Sequence, residues 1–333
     1  MKANGPRRRA FLSVCLGLYL FAGLFASQAV PAAPAPTTPG VAMPGGATPL
    51  PECWRGTVLA FVAHTDDDLL FMNPDQADAI RQGQCMRVVY FTAGDRGEGQ
   101  PYLQARERGI MAAYARMARA ANHWRDDGWS VGGRTVLRHT LIGSSRIQLI
   151  MLRIPDPWLG PGWGSLTPLS RMESVPNTGV QAYAPYPERY TRESLVTWIA
   201  SLIQAVQPTT VRLMDASIAT PYTQLCWRCR GHDHPDHIAG AKLVREAMLL
   251  APGTYLAQAY LGYPSQEQPA NLSATERAFK TGTFLRYMVD DPRYCRPHAP
   301  CSRTNGPASA WVERQYRIGP DGAPLAPVQQ ARQ

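Results

Sequence analysis

Two short stretches of this chain concentrate the side chains able to do chemistry. The first is Ala63-His64-Thr65-Asp66-Asp67-Asp68, the second Gly231-His232-Asp233-His234-Pro235-Asp236-His237. Four of the seven histidines fall in them. Carboxylates crowded beside one another repel and raise each other's pKa, a cost that a divalent cation offsets. A helix N-cap could use one such Asp, but it does not need three and a His. In the second stretch Pro235 suits a first helical turn, which sets His234 and His237 three apart on one face. His237 shares the stripe of Ala241, Val244 and Met248 and is expected to point inward. The plainer readings are a capping cluster for the first stretch and a core histidine in a polar loop for the second. Taken together, His64, one Asp and His237 supply two nitrogens and an oxygen, the three-ligand pattern of a catalytic zinc with an open fourth position. An unused Asp beside the ligands can take a proton from water, and an unused His at the helix start can face a substrate.

Such residues need strands to carry them. Thr57–Ala63 is a continuous apolar run of strand length, as a buried parallel strand requires. A helical pattern follows to about Gln82, a second strand spans Met86–Thr92, and Tyr102–Ala120 reads as helix. Val136–Ile154 suggests two strands, followed by Gly- and Pro-rich loop through Trp163. Glu193–Val206 has helical spacing and stops at Pro208. Thr210–Met214 is strand, Pro235–Leu250 helix, Thr254–Leu261 strand, Leu272–Met288 helix, and Trp311–Ile318 a last edge strand. This alternation predicts an α/β, Rossmann-like three-layer fold with a mainly parallel sheet, whose ligands sit beyond the carboxyl ends of the strands.

With these residues in view, the chain resembles the PIG-L/LmbE-like family of zinc-dependent de-N-acetylases. The family's A-H-P-D-D-x segment stands here as Ala63 to Asp68, with Thr65 in place of proline and Asp68 where many members carry glutamate. Its H-x-D-H segment stands as His234-Pro235-Asp236-His237. The likeness extends to Thr92-Ala93-Gly94-Asp95, Arg106-Glu107 and Tyr190-Thr191-Arg192, covering most of Gly56 to Tyr263; Gly109 breaks the family's Arg-x-x-Glu spacing. The resemblance implies one zinc per chain on His64, Asp67 and His237, with Asp66 as general base. It gives His234 the oxyanion or the leaving-group proton, has Asp236 tune His234, and makes Asp95 and Arg106 candidates for substrate contact. The implied reaction removes an N-acetyl or short N-acyl group from an amino sugar or glycoconjugate. Two alternatives stay open. His232 to His237 also resembles the H-x-H-x-D-H string of metallo-β-lactamase-like hydrolases, and a non-catalytic glycan-binding envelope protein could keep the same fold.

Composition bounds the setting. Lys2, Arg7, Arg8 and Arg9 precede a charge-free apolar run, Ala10–Ala26, closed by Ser27-Gln28-Ala29. This reads as a signal peptide over residues 1–29 and not as an anchor, by Sec or, through Arg8-Arg9, twin-arginine export. Export would place the protein in the periplasm or outside the cell. Its removal takes the net charge from +9 to +5, too low and too dispersed to suggest nucleic acid, and no other segment is apolar enough to span a bilayer. Residues 30–53 read as a Pro/Ala-rich linker, 54–302 as the deacetylase domain and 303–333 as a C-terminal extension. Six cysteines remain, an even number that suggests disulfides in an exported protein. Neighbourhood favours Cys295 with Cys301, and Cys226 with Cys229 as a bridge stiffening the following loop.

Overall fold

A computed structural model describes residues 53–160, 162–227, 229–294, 306–319 and 322–325. The expected signal peptide, nearly all of the linker and the Cys295–Cys301 pairing lie outside these residues. The first half of the chain runs β1 (Thr57–Val62), α1 (Asp67–Phe71), α2 (Asp75–Arg81), β2 (Cys85–Thr92), α3 (Gln100–Met117), β3 (Trp124–Val131), β4 (Arg134–Leu141) and β5 (Ile147–Ile154). The second half runs α4 (Pro168–Ser174), β6 (Gly179–Gln181), β7 (Arg189–Thr191), α5 (Arg192–Val206), β8 (Thr210–Met214), α6 (Pro235–Leu250) and β9 (Leu256–Tyr260), then α7 (Ala274–Met288), α8 (Ala308–Trp311), β10 (Arg317–Ile318) and β11 (Pro324–Leu325).

Nine strands form one sheet in the order β11-β10-β9-β8-β1-β2-β5-β4-β3, and β6 and β7 form a separate hairpin. The five central strands, β9 to β5, are parallel, and the edges are antiparallel. All six residues of β1 are buried, as both faces of a central parallel strand must be. The chain leaves β1 toward β2 on one side, whereas β8 and β9 lie on the other. Right-handed crossovers therefore send α1–α3 and α6 to opposite faces, giving the expected three layers. The same reversal makes the carboxyl end of β1 a topological switch point, where a crevice opens. β1 ends directly before Ala63-His64, so the fold delivers the first chemical cluster to that crevice.

Three local expectations change. The helical pattern after Asp66 divides into α1 and α2 at Asn73-Pro74, because Pro74 lacks the N–H that a continuous helix would use. The last edge strand shrinks to Arg317–Ile318, preceded by α8, which places the Trp311 ring against Tyr263. β3 was not foreseen: as an edge strand with Arg125, Asp126 and Asp127 in it, it lacks the apolar alternation of a half-buried strand. Of the expected disulfides, Cys226–Cys229 is formed, and a Cys53–Cys85 bridge ties the residues before β1 to the start of β2. No helix among the described residues is long and apolar enough to cross a membrane.

One buried amine links the sheet's helical cover to the segment after α8. Lys280 of α7, fully buried, donates from Nζ to the carbonyl oxygens of Leu70 (2.6 Å) and Arg314 (2.5 Å). Burial pushes its pKa well below the ordinary 10.5. Between that lowered value and 10.5 the unfolded chain keeps a proton that folding releases, so stability climbs with pH across this window. In Lys280→Met this increment should vanish. Urea midpoints at about pH 7 and about pH 10 should show the wild type gaining on the variant as pH rises. A gap independent of pH would mean that the folded lysine is charged.

Candidate active site

The two clusters meet at the end of β1. The His64 backbone N–H donates to Asp67 Oδ2 at 2.6 Å, which turns the chain sharply and folds the Asp67 carboxylate back toward the ring. That carboxylate lies between two imidazoles: Oδ2 is 3.2 Å from His64 Nδ1, and Oδ1 is 3.0 Å from His237 Nε2. His237, one turn into α6, sends Nδ1 to Asp233 Oδ1 at 2.8 Å. A carboxylate on Nδ1 is the support that fixes a ligating imidazole with Nε2 as its metal-facing nitrogen, and here Nε2 faces Asp67. Asp233 is fully buried, and its Oδ1 also accepts from the backbone N–H groups of His234 and Tyr263. Gly262 leaves the room for it, since a Cβ there would collide with the Asp233 carboxylate.

Asp66, next along the turn, is held from a different direction. Arg106 Nη2 donates to Asp66 Oδ1 at 2.6 Å. The guanidinium is fixed in turn by Gly94 O (2.7 Å) and the Tyr287 hydroxyl (2.7 Å). Gly94 has φ +56°, and a Cβ there would strike the guanidinium. Asp68 turns away from the cavity and accepts from Tyr90 and Tyr114 in the core. His234 caps α6, its Nδ1 accepting from the Asp236 backbone N–H at 3.2 Å, so a neutral ring carries its proton on Nε2. The Asp236 carboxylate receives the Thr167 hydroxyl on Oδ1. Its Oδ2 lies 3.7 Å from His64 Nε2 and 3.9 Å from His234 Nδ1, with no hydrogen-bond partner. It therefore stands between two rings and does not serve His234 alone.

The electrostatics express this crowding. Burial is the largest single influence on His64 and His237 and opposes their charge, but the surrounding carboxylates together outweigh it, Asp67 with Asp236 and Asp156 at His64 and Asp67 with Asp233 at His237. His64 is held well above the usual imidazole range and His237 at about 10. Asp67 is buried too, yet the facing His237 and His64 hold its carboxyl well below the usual range. Asp66 is pushed up by burial and by Asp67, against the pull of Arg106. His234 goes the other way: burial and the two neighbouring rings push it well below the ordinary value, which keeps it neutral. A site whose imidazoles demand protons to balance buried carboxylates demands cations generally. The two imidazoles and the carboxylate between them are the donors expected of a divalent ion, and Asp156 and the unpartnered Asp236 Oδ2 lie on the other side of His64, at Nε2. His64, His234 and His237 form an overlapping donor set, with ligand atoms within 4.8 Å of one another.

The site opens into a cavity of about 340 Å³, within the usual size range of small-ligand pockets. Sequence reasoning missed several of its walls. Asp156, two residues beyond β5, lies 3.5 Å from His64 Nε2, and burial pushes its carboxyl up to about 7. An acid just past a central strand's carboxyl end was the available signal. Tyr263 is stacked between Trp163 (5.7 Å between centroids) and Trp311 (4.6 Å), and Trp163 meets His234 edge-on. Asp95, expected to touch substrate, does not line this cavity. It is fully buried, and its oxygens accept from the N–H groups of Asp156 and Gly99 and from the Tyr183 hydroxyl, which sets the loop that carries Asp156. Arg106 does line it, but with its charge committed to Asp66 and, at 3.4 Å, Asp291. His232 stands apart, its Nδ1 accepting from the Cys226 N–H at 3.1 Å. The second metal that the H-x-H-x-D-H string would need therefore lacks this histidine.

The overlap of the two donor sets generates a test. Equilibrium dialysis should find about one divalent ion per chain, lost in His237→Ala and in Asp67→Ala but retained in His234→Ala. Retention in Asp67→Ala with loss in His234→Ala would assign the ion to the three-histidine set.

Residues 59–248, more than half of the chain, match the PIG-L family, described as GlcNAc-PI de-N-acetylase. No curated protein matches the chain significantly. Solved structures with a similar fold include the conserved protein TT1542 from Thermus thermophilus (16% identity, 72% of this chain and 81% of that one, TM-score 0.40). The zinc-inhibited form of teicoplanin deacetylase Orf2 is similar too (16% identity, 71% and 84%, TM-score 0.40). So is GalB, the 4-carboxy-2-hydroxymuconate hydratase from Pseudomonas putida KT2440 (16% identity, 72% and 88%, TM-score 0.37).

Proposed function

Because the chain belongs to the GlcNAc-PI de-N-acetylase family, we propose that it is an exported, zinc-dependent hydrolase that removes an acetyl or other short acyl group from the nitrogen of an amino sugar or glycoconjugate. The observation that carries this reading is the arrangement around Asp67. The buried Asp67 carboxylate bridges His64 Nδ1 and His237 Nε2, and beside it His64, Asp66 and His234 line a single cavity. Zinc held by those three donors would polarise the amide carbonyl and acidify the attacking water.

The remaining steps belong to the chain. Asp66 takes the proton of the attacking water; burial raises its basicity, and Arg106 fixes its direction. His234, neutral and protonated on Nε2, donates a hydrogen bond toward the oxygen on which charge develops. Asp66, holding the water's proton, passes it to the departing nitrogen. Trp163, Tyr263 and Trp311 offer a stacked apolar wall for the face of a sugar ring. The products are a free amine and acetate or another short acid. The basic, apolar start of the sequence and the two disulfides support export.

Zinc-loaded protein offered a panel of N-acetylated saccharides should release primary amine and acetate in equal amounts. Asp66→Asn should retain its metal and lose ~10²–10⁴-fold in kcat, and His234→Ala should lose activity within the same range. Full activity in Asp66→Asn would overturn the mechanism. Tight saccharide binding without turnover would favour a glycan-binding protein on the same fold.

A further inference from the structure

Three arginines line the cavity: Arg96, Arg106 and Arg293. Two are neutralised within the fold. Arg106 is paired with Asp66 and Asp291, and Arg293 with Glu98. Among the described residues Arg96 has no carboxylate partner. The neighbouring Asp95 is no candidate, because its oxygens are taken up by Asp156, Gly99 and Tyr183. Arg96 is instead laid over the Trp158 ring, with its guanidinium carbon 4.1 Å from the ring centroid. Trp158 in turn meets Trp227 edge-on at 6.3 Å. The backbone supports the same placement: Arg96 pairs with Pro157 in an isolated parallel bridge and adopts φ +52°, a left-handed conformation that costs a long side chain energy. Strain, a stacking plate and an uncommitted guanidinium thus coincide at one point of the cavity wall. A guanidinium stacked on an aromatic ring keeps its N–H fork in a fixed plane, which suits the two oxygens of a carboxylate or a phosphate.

We infer that Arg96 is a specificity-determining residue that receives an anionic substituent, a carboxylate or a phosphate, carried by the acylated amino sugar. This deepens the de-N-acetylase reading and rests on it. Trp158 acts as a positioning residue that holds the guanidinium toward the cavity.

The test compares three ligands: N-acetylglucosamine (neutral), N-acetylmuramic acid (carboxylate) and N-acetylglucosamine 6-phosphate. Binding is followed by calorimetry on the zinc-loaded protein, and turnover by amine release. Asn tolerates the left-handed backbone, so Arg96→Asn removes the cation without adding strain. The wild type should prefer at least one anionic ligand over the neutral one by roughly 10- to 100-fold, the range of a charge-assisted hydrogen bond. Whichever anion is preferred identifies the substituent. That ratio should collapse toward one in Arg96→Asn, be partly kept in Arg96→Lys, and fall in Trp158→Leu. Equal binding of all three ligands by the wild type, or a preference that persists in Arg96→Asn, would overturn the assignment. Because the ratio is read in binding as well as in turnover, absence of amine release from these three saccharides leaves the result for Arg96 legible, and the hydrolase reading is tested separately by the wider panel.

Discussion

The arrangement of this protein follows from one constraint: too many carboxylates share too little water. Asp66, Asp67, Asp156, Asp233 and Asp236 all lie buried around the end of β1. Ionised carboxylates in such a place are tolerated only when paired or coordinated. The surrounding residues supply counter-charge or donors. His64 and His237 share Asp67, Arg106 takes Asp66, Thr167 donates to one oxygen of Asp236, and three backbone or ring N–H groups donate to one oxygen of Asp233, while the second oxygen of each has no hydrogen-bond partner. The supporting residues have needs of their own, such as the bare Cα of Gly94 against the Arg106 guanidinium and that of Gly262 against Asp233. The balance leaves His64 and His237 seeking protons and His234 refusing them. Three histidines a few ångströms apart thus come to differ in charge, which separates those suited to hold a cation from the one suited to donate a hydrogen bond.

The part of this arrangement that was legible in the sequence is the part made by local chain geometry. An apolar run ending in His64 and Asp67, and a helix beginning at Pro235 with His237 one turn in, place the donors by short-range rules. The parallel order of the central strands follows from the same alternation. What was not legible depends on side chains brought together across long separations. Asp156 reads as loop, Tyr263 and Trp311 are ordinary aromatics until they stack, and Asp95 looks like a substrate contact until it is found beneath the Asp156 loop. Asp233 was in view as part of a motif, yet its service to His237 rests on a four-residue spacing whose meaning is clear only once the helix start is fixed. The apolar pattern running to Gln82 reads as one helix, and Pro74 divides it in two.

The cavity draws on both sides of residue 248, where the match to the family ends. Every proposed metal donor, Asp66 and His234 lie before that point. Tyr263, Asp291 and Trp311 lie after it, as does β9, which covers the outer edge of β8. A chain cut at the family boundary would keep its chemical groups and lose a wall of its pocket. It would also uncover β8, whose Val211, Leu213 and Met214 are almost wholly buried, as an unpaired apolar strand edge. Such an edge is a template for strand addition between molecules, so the segment beyond residue 248 protects the protein from self-association as well as shaping what it admits.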